Sequence, residues 1–298
     1  MSRIITFIGM GEAGSAFVQG WGKGIDARIR AYDIKSDDPA TAGEMRERYA
    51  GLGIEGCSSA AEAVAGAQVV LCTVTADQAV RAAETAAPYL DEGVFWCDLN
   101  SCAPSSKQRS AGIIEARGGR YVDVAVMSPV HPKLNMTPLL LSGPHAQAIA
   151  PVLEALPTSL RVVEGPVGAA SSIKMIRSVM IKGMEALTAE CLLACVAAGV
   201  DGEVLASLGK SNPQIDWPAQ TAYNLERMMV HGARRAAEME EVARTLADLG
   251  LPNGMASATV EWQRRLAGQG LPAPDLADTD GPAMARRLLP CVRGDGGA

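Results

Sequence analysis

Three features of the chain carry atoms suited to chemistry: a glycine-spaced turn, an acid nineteen residues beyond it, and a lysine near the head of a long helical stretch. The turn is Gly9-Met10-Gly11-Glu12-Ala13-Gly14, preceded by the apolar run 4–8 and followed by residues 13–21, which can form a helix. In that setting Gly9 permits the tight turn, Gly11 lets the backbone approach a pyrophosphate, and Gly14 lets helix and strand pack closely. The helix start then offers N–H donors and the positive end of its dipole to phosphates. Met10, Glu12 and Ala13 share the turn. Thr73 and Val74, at the end of the apolar run 69–74, are further candidates on the cofactor side. Asp33 closes the next strand-like run. An acid there accepts from both ribose hydroxyls and repels a 2′-phosphate. That points to NAD, while the neighbouring Lys35 leaves NADP open.

Lys174 lies in a stretch from residue 167 to about residue 200 with no strand signal and no interior proline. Ile173, Ile176, Met180, Met184, Leu187 and Cys191 recur there at steps of three and four, one stripe of a long helix. Lys174 sits about 100° round from Ile173, on a flank it shares with Ser178. A lysine near a helix start opposes the helix dipole, so some other requirement should keep it there. Taken alone, the residue type suggests a solvated surface amine. Desolvation would instead suit it to proton transfer.

These groups need a scaffold, and the chain is long enough for about two domains: 298 residues, 48% hydrophobic and 20% charged. The net charge of -6 and the 4% aromatic content argue against nucleic acid as a partner, since both phosphate neutralisation and base stacking would go unserved. No run reaches the ~18 apolar residues of a membrane span, and the N-terminal apolar run is too short for a signal peptide. Seven cysteines form an odd set without a C-x-x-C pair, which suggests a reducing, cytoplasmic setting. Cys191 and Cys195 share a helix face, yet no second ligand pair follows, so no metal is expected.

Strand-like runs at 4–8, 28–32, 69–74, 94–97, 121–127 and 139–141 alternate with Ala-rich helical stretches such as 60–65 and 77–89. That alternation predicts an α/β fold, a Rossmann-type doubly wound parallel sheet, over residues 1–165. Residues 166–298 read as an all-α domain, with breaks near 199–202, 211–218, 250–254 and 268–274 and a frayed end over about the last eight residues.

In this order the blocks resemble the β-hydroxyacid dehydrogenase superfamily, which includes 3-hydroxyisobutyrate and 6-phosphogluconate dehydrogenases. The glycine turn looks like its N-terminal fingerprint, and Asp98-Leu99-Asn100-Ser101-Cys102-Ala103-Pro104 looks like its loop beside the nicotinamide. Tyr121-Val122-Asp123-Val124-Ala125-Val126 resembles the strand leading to the substrate loop. Gly165-Pro166-Val167-Gly168-Ala169-Ala170-Ser171-Ser172-Ile173-Lys174 resembles the segment whose lysine is catalytic. The resemblance implies hydride transfer between a nicotinamide and a small hydroxy acid or related alcohol or carbonyl. Lys174 would be general acid/base, and Asn100 and Ser101 would lie near the nicotinamide ribose.

The chain also departs from the family. Met127 stands at the substrate-loop serine, with Ser128 displaced by one, Ser178 replaces a common Asn, and Ala237-Glu238 replaces Lys-Asp. The block from His231 to Met239 resembles a branch with a distinct C-terminal domain. Donors for a substrate carboxylate would then come from Ser128 and His131 in the 127–133 loop, from Ser178, from His231, and from Arg234 or Arg235. Adjacent helical residues point about 100° apart, so at most one arginine faces a ligand and the other joins a surface ion pair. Trp217, after Asp216, suits a core or dimer contact. C=N reduction as in imine reductases, or a non-catalytic dinucleotide sensor, are the competing readings. A homodimer through the helical domain is expected.

Overall fold

The computed structural model describes residues 3–272 and 280–293. It divides into two compact units, Met1–Met175 and Ile176–Ala298.

The first unit is built on eight strands: β1 (Arg3–Ile8), β2 (Ala27–Tyr32), β3 (Glu55–Gly56), β4 (Val69–Cys72), β5 (Phe95–Asp98), β6 (Arg120–Val126), β7 (Leu139–Ser142) and β8 (Leu160–Val162). They lie in the order β3-β2-β1-β4-β5-β6-β7-β8. Every neighbouring pair is parallel except β6–β7. The central strands β4 and β5 are buried on both faces, which is why they read as unbroken apolar runs. Helices α1 (Glu12–Trp21), α2 (Ala42–Leu52), α3 (Ala60–Val64), α4 (Ala79–Ala86), α5 (Pro104–Glu115) and α6 (Ala146–Glu154) connect them. Two apolar clusters result, one around Phe7, Phe17, Trp21 and Leu141, the other around Val70, Trp96, Ile114 and Tyr121. The doubly wound sheet is as expected, with the last two strands, β7 and β8, running opposite to the other six. The chain winds outward in both directions from the adjacent β1 and β4, and such a switch point opens a crevice at the strands' carboxyl ends. Cys57, Cys72, Cys97 and Cys102 are buried free thiols. Burial pushes Cys72 and Cys97 up to about 12 and Cys57 up to about 11.

Helix α7 (Ala169–Ala198) begins in the first unit and continues into the second. The division therefore falls after Met175, ten residues beyond the expected boundary at 165. The physical reason is local: the first turn of α7 hydrogen-bonds to side chains of β6 and β7. The second unit adds α8 (Asp201–Ser211), α9 (Trp217–Asp248), α10 (Gly254–Ala267) and α11 (Gly281–Arg293). Its core gathers Leu192, Leu193, Leu225, Met228, Leu266, Met284 and Leu288. Asp216 caps α9 by accepting from the Ala219 amide, and Trp217 beside it is half-buried. Two expectations need correction. Ile176, Met180, Met184 and Leu187 form the exposed ridge of α7, and its buried face is Ala186, Ala189, Leu192 and Leu193. Cys291 to Arg293 complete α11 and are not frayed, while residues 294–298 and 273–279 lie outside the described residues.

Candidate active site

Within the first unit, the turn after β1 is held from three sides. Gly9 donates to the Tyr32 carbonyl (2.8 Å), and its own carbonyl accepts from the Thr73 hydroxyl (2.6 Å) at the end of β4. The Met10 amide donates to Asp33 Oδ2 (2.8 Å), and Arg48 donates to the Met10 carbonyl (2.9 Å). Gly9 has φ +87, and a Cβ there would lie 2.8 Å from Val74 and 2.9 Å from the Thr73 backbone. Only glycine fits that position. A Cβ on Gly14 would meet the Gly9 carbonyl and Thr73 hydroxyl at 3.1 Å, which is the close helix–strand packing the motif implies.

Gly11 differs from both. A Cβ there meets nothing within 4 Å, so the backbone faces open space at the start of α1. No side chain caps that helix, and its first amides have no intrahelical acceptors. Glu12 is exposed, Ala13 is half-buried, and the Met10 side chain is fully buried, so Met10 can offer only its backbone. A pyrophosphate fits this cradle.

Asp33 is half-buried, and its Oδ1 also accepts from the Lys35 amide (3.0 Å). Each carboxylate oxygen keeps a second lone pair for a ribose hydroxyl. Exposed Asp37 and Asp38 follow, as does the exposed Lys35. The Tyr32 hydroxyl donates to Asp37 (2.6 Å), and burial together with that carboxylate raises Tyr32 above the usual phenol range.

The loop after β5 brings the reactive candidates together. Asn100 is buried, and its amide N and Nδ2 both donate to Asp98 Oδ1 (2.9 and 2.7 Å). Its Oδ1 is buried without a hydrogen-bond partner, an acceptor available to a bound amide or hydroxyl. Next in the chain, the Ser101 hydroxyl accepts from Lys174 Nζ. Lys174 is half-buried, not a solvated amine on the helix surface.

The remaining candidates belong to other segments of the first unit and to the second. Ser128 is half-buried with its hydroxyl on the Pro129 carbonyl (3.3 Å), and His131 is exposed before a cis proline. In the second unit, Ser178 is buried, His231 half-buried and Arg234 exposed. Arg235 is the arginine that turns inward, and its partner is no surface acid. It donates to both oxygens of the buried Glu185 (2.8 and 3.1 Å), because that face of α9 packs on α7. Glu238 pairs with the buried Lys182 (2.5 Å). Among the described residues, no cluster of His, Cys, Asp and Glu could hold a metal, and no helix is long and apolar enough to cross a membrane.

Sequence reasoning passed over a buried ionic cluster behind this loop. Lys107 of α5 lies between Asp98 and Asp123, with Nζ 3.0 Å from Asp98 Oδ1 and 3.4 Å from Asp123 Oδ1. The Tyr121 hydroxyl donates to Asp98 Oδ2 (2.7 Å). Burial alone would lower Lys107, but the two carboxylates outweigh it and hold the amine above the usual lysine range. The available signal was one acid inside a strand-like apolar run, Asp123, and another directly closing one, Asp98, since a buried acid demands a partner.

Comparison with known proteins gives a consistent picture. The family model for the NAD binding domain of 6-phosphogluconate dehydrogenase matches residues 4–165, and a domain of unknown function, DUF1932, matches residues 196–266. A conserved hypothetical protein from Sinorhizobium meliloti is 40% identical, with 97% of each chain covered and a TM-score of 0.76. A conserved protein described as structurally similar to 3-hydroxyacid dehydrogenases is 26% identical over 89% of this chain and 97% of its own, at a TM-score of 0.69. The 3-hydroxyisobutyrate dehydrogenase of Mycobacterium tuberculosis shares the fold at 18% identity and a TM-score of 0.71, with 97% and 99% of the chains covered.

Proposed function

The chain belongs to the family of the NAD-binding domain of 6-phosphogluconate dehydrogenase, and from that membership we propose an NAD-dependent dehydrogenase acting on a small, carboxylate-bearing hydroxy acid or its carbonyl partner. The observation that carries this reading is the Lys174 amine hydrogen-bonded to Ser101, in the loop that also holds the unpartnered Asn100 Oδ1. The nicotinamide, when bound, accepts the hydride from the alcohol carbon or returns it to a carbonyl. In oxidation, Lys174 Nζ takes the hydroxyl proton as the C–H electron pair leaves. In reduction, the same ammonium gives the proton to the carbonyl oxygen. Ser101 orients that amine. The residues following Gly11 hold the pyrophosphate, and Asp33 accepts from the adenine-side ribose. Asp37 and Asp38 add negative charge beyond Asp33, which favours NAD over NADP. Ser128, His131, Ser178, His231 and Arg234 are the candidate substrate donors.

A panel of hydroxy acids and imines, assayed with both cofactors in both directions, identifies the substrate. Lys174→Ala should then lower turnover about 10²–10⁴-fold while NADH still binds. Turnover at the original rate would overturn the proton-transfer role, and preferential turnover of imines would redirect the reading to C=N chemistry. Gly11→Ala should unfold at the wild-type temperature, because its Cβ meets no protein atom, yet lose NADH binding by fluorescence titration. Unchanged NADH affinity would remove the cradle from the cofactor site.

The exposed ridge Ile176, Met180, Met184 and Leu187 supports association of two copies through the helical unit. Light scattering should give twice the chain mass at micromolar concentration, and a monomer mass would refute this.

A further inference from the structure

The Lys107 cluster does more than fill space behind the candidate active site. Asp98 and Asp123 face each other in the β5–β6 register. Lys107 reaches both, and also donates to the Asp98 carbonyl (2.6 Å). From Asp98 the hydrogen bonds run to Asn100, the residue before Ser101. From Asp123 they run to the start of α7: its Oδ2 accepts from the Gly168 amide (3.1 Å), the Ser171 amide (3.0 Å) and the Ser171 hydroxyl (3.0 Å). Ser142 of β7 completes the cap, donating to Asp123 Oδ2 (3.1 Å) and accepting from the Ala170 amide (2.9 Å). Lys174 lies three residues beyond Ser171. The loop bearing Ser101 and the helix end bearing Lys174 are thus moored to one ammonium.

We infer that Lys107 and Asp123 are positioning residues, holding the first turn of α7 and the Ser101 loop in the one register that joins Lys174 to Ser101. This rests on the reading of Lys174 as the proton carrier. Three points favour it over a purely structural core. A buried charge cluster is seldom better for stability than apolar residues of the same volume. Its hydrogen bonds converge on the two segments that bear the reactive pair and leave most of the sheet untouched. Lys107 is within ion-pair distance of both acids, and Asp123 Oδ1 has no hydrogen-bond donor, so this amine joins the two carboxylates side chain to side chain. The carboxylate at the head of α7 also answers why a lysine is tolerated near a helix start, since an anion there offsets the dipole.

The test needs no turnover. The full-length protein is pulse-labelled with acetic anhydride, and acetylation of Lys174 is measured by peptide mass spectrometry against the exposed Lys210. Ser142→Ala removes one link of the cap with little loss of volume. It should raise Lys174 labelling about fivefold relative to Lys210, the equivalent of one hydrogen bond, with faster amide exchange at Ala170 and Ser171. Ser142→Thr, which keeps the hydroxyl, should restore the wild-type ratio. Ser171→Ala provides the same comparison should Ser142→Ala not fold. A labelling ratio within twofold of wild type in a destabilised variant would overturn the inference and leave a structural role only. Failure of the functional reading shows elsewhere, as undiminished turnover in Lys174→Ala.

Discussion

In the sheet unit Lys107 is buried between Asp98 and Asp123; in the helical unit Arg235 is buried against Glu185 and Gln263. The same kind of pairing has opposite electrostatic outcomes. Partners win at Lys107, which stays charged more firmly than a lysine in water. Burial wins in the helical unit, raising Glu185 and lowering Arg235 although each has an opposite charge beside it. The charges around them separate the two: Lys107 lies between two carboxylates, whereas Arg235 has Glu185 against it and a second cation, Arg227, nearby. Asp98 receives Lys107, Tyr121 and two Asn100 donors, and Asp123 receives two amides and two hydroxyls. Glu185 receives Arg235 and Gln263, and each cluster leaves buried atoms without hydrogen-bond partners, Arg235 Nε and Gln263 Oε1 in one, Asn100 Oδ1 and Asp123 Oδ1 in the other. One opposing carboxylate does not offset desolvation at Arg235, whereas two do so at Lys107.

That contrast can be broken by substitution. The largest effect belongs to Lys107→Met, which strands two facing carboxylates in the interior and should cost about 3–5 kcal/mol in urea unfolding. A loss below about 1 kcal/mol would mean that the acids do not depend on the amine. Replacing both members of the other pair, as Glu185→Met with Arg235→Met, should leave stability within about 1 kcal/mol of wild type or improve it. A loss as large as that of Lys107→Met would make the two clusters equivalent.

The smallest effect is a slope with pH. Glu185 is raised above its ordinary 4.5, so the folded chain keeps that proton longer than the unfolded chain does. Its contribution is most favourable below about 4.5 and is lost as pH rises through the folded value. Glu185→Gln should flatten that fall. For Lys107 the raised value puts any loss above the ordinary 10.5, so stability should not vary through it between about pH 5 and 9. Unfolding curves across that range, compared between wild type and Glu185→Gln, would sharpen or erase the difference.

How far the sequence could be read follows the same physics. The central strands were legible because burial on both faces demands apolar runs, and the glycine turn because its chemistry constrains three positions. Strands β3 and β8 were not, being two and three residues long at the sheet edges with too little sequence to carry a period. Lys107 was hidden because Ser105-Ser106-Lys107-Gln108-Arg109 reads like a solvated helix face. The ridge Ile176, Met180, Met184 and Leu187 shows the complementary failure. Periodicity reveals that a helix has an apolar side, but not what covers it. Of the two arginines, helix geometry alone could not say which turns inward; the packing of α9 on α7 selects Arg235, against Glu185.

The distribution of thiols gives the sheet unit a chemical clock. In the sheet unit all four cysteines are buried, and Cys72 and Cys97 hold their protons up to about 12, so an alkylating reagent reaches them only when that unit opens. In the helical unit Cys191 is exposed, beside the buried Cys195. One reagent therefore labels native molecules at Cys191, and peptides bearing Cys57, Cys72, Cys97 and Cys102 then report openings of the sheet unit. Opening of that unit can be timed in an intact, untagged chain.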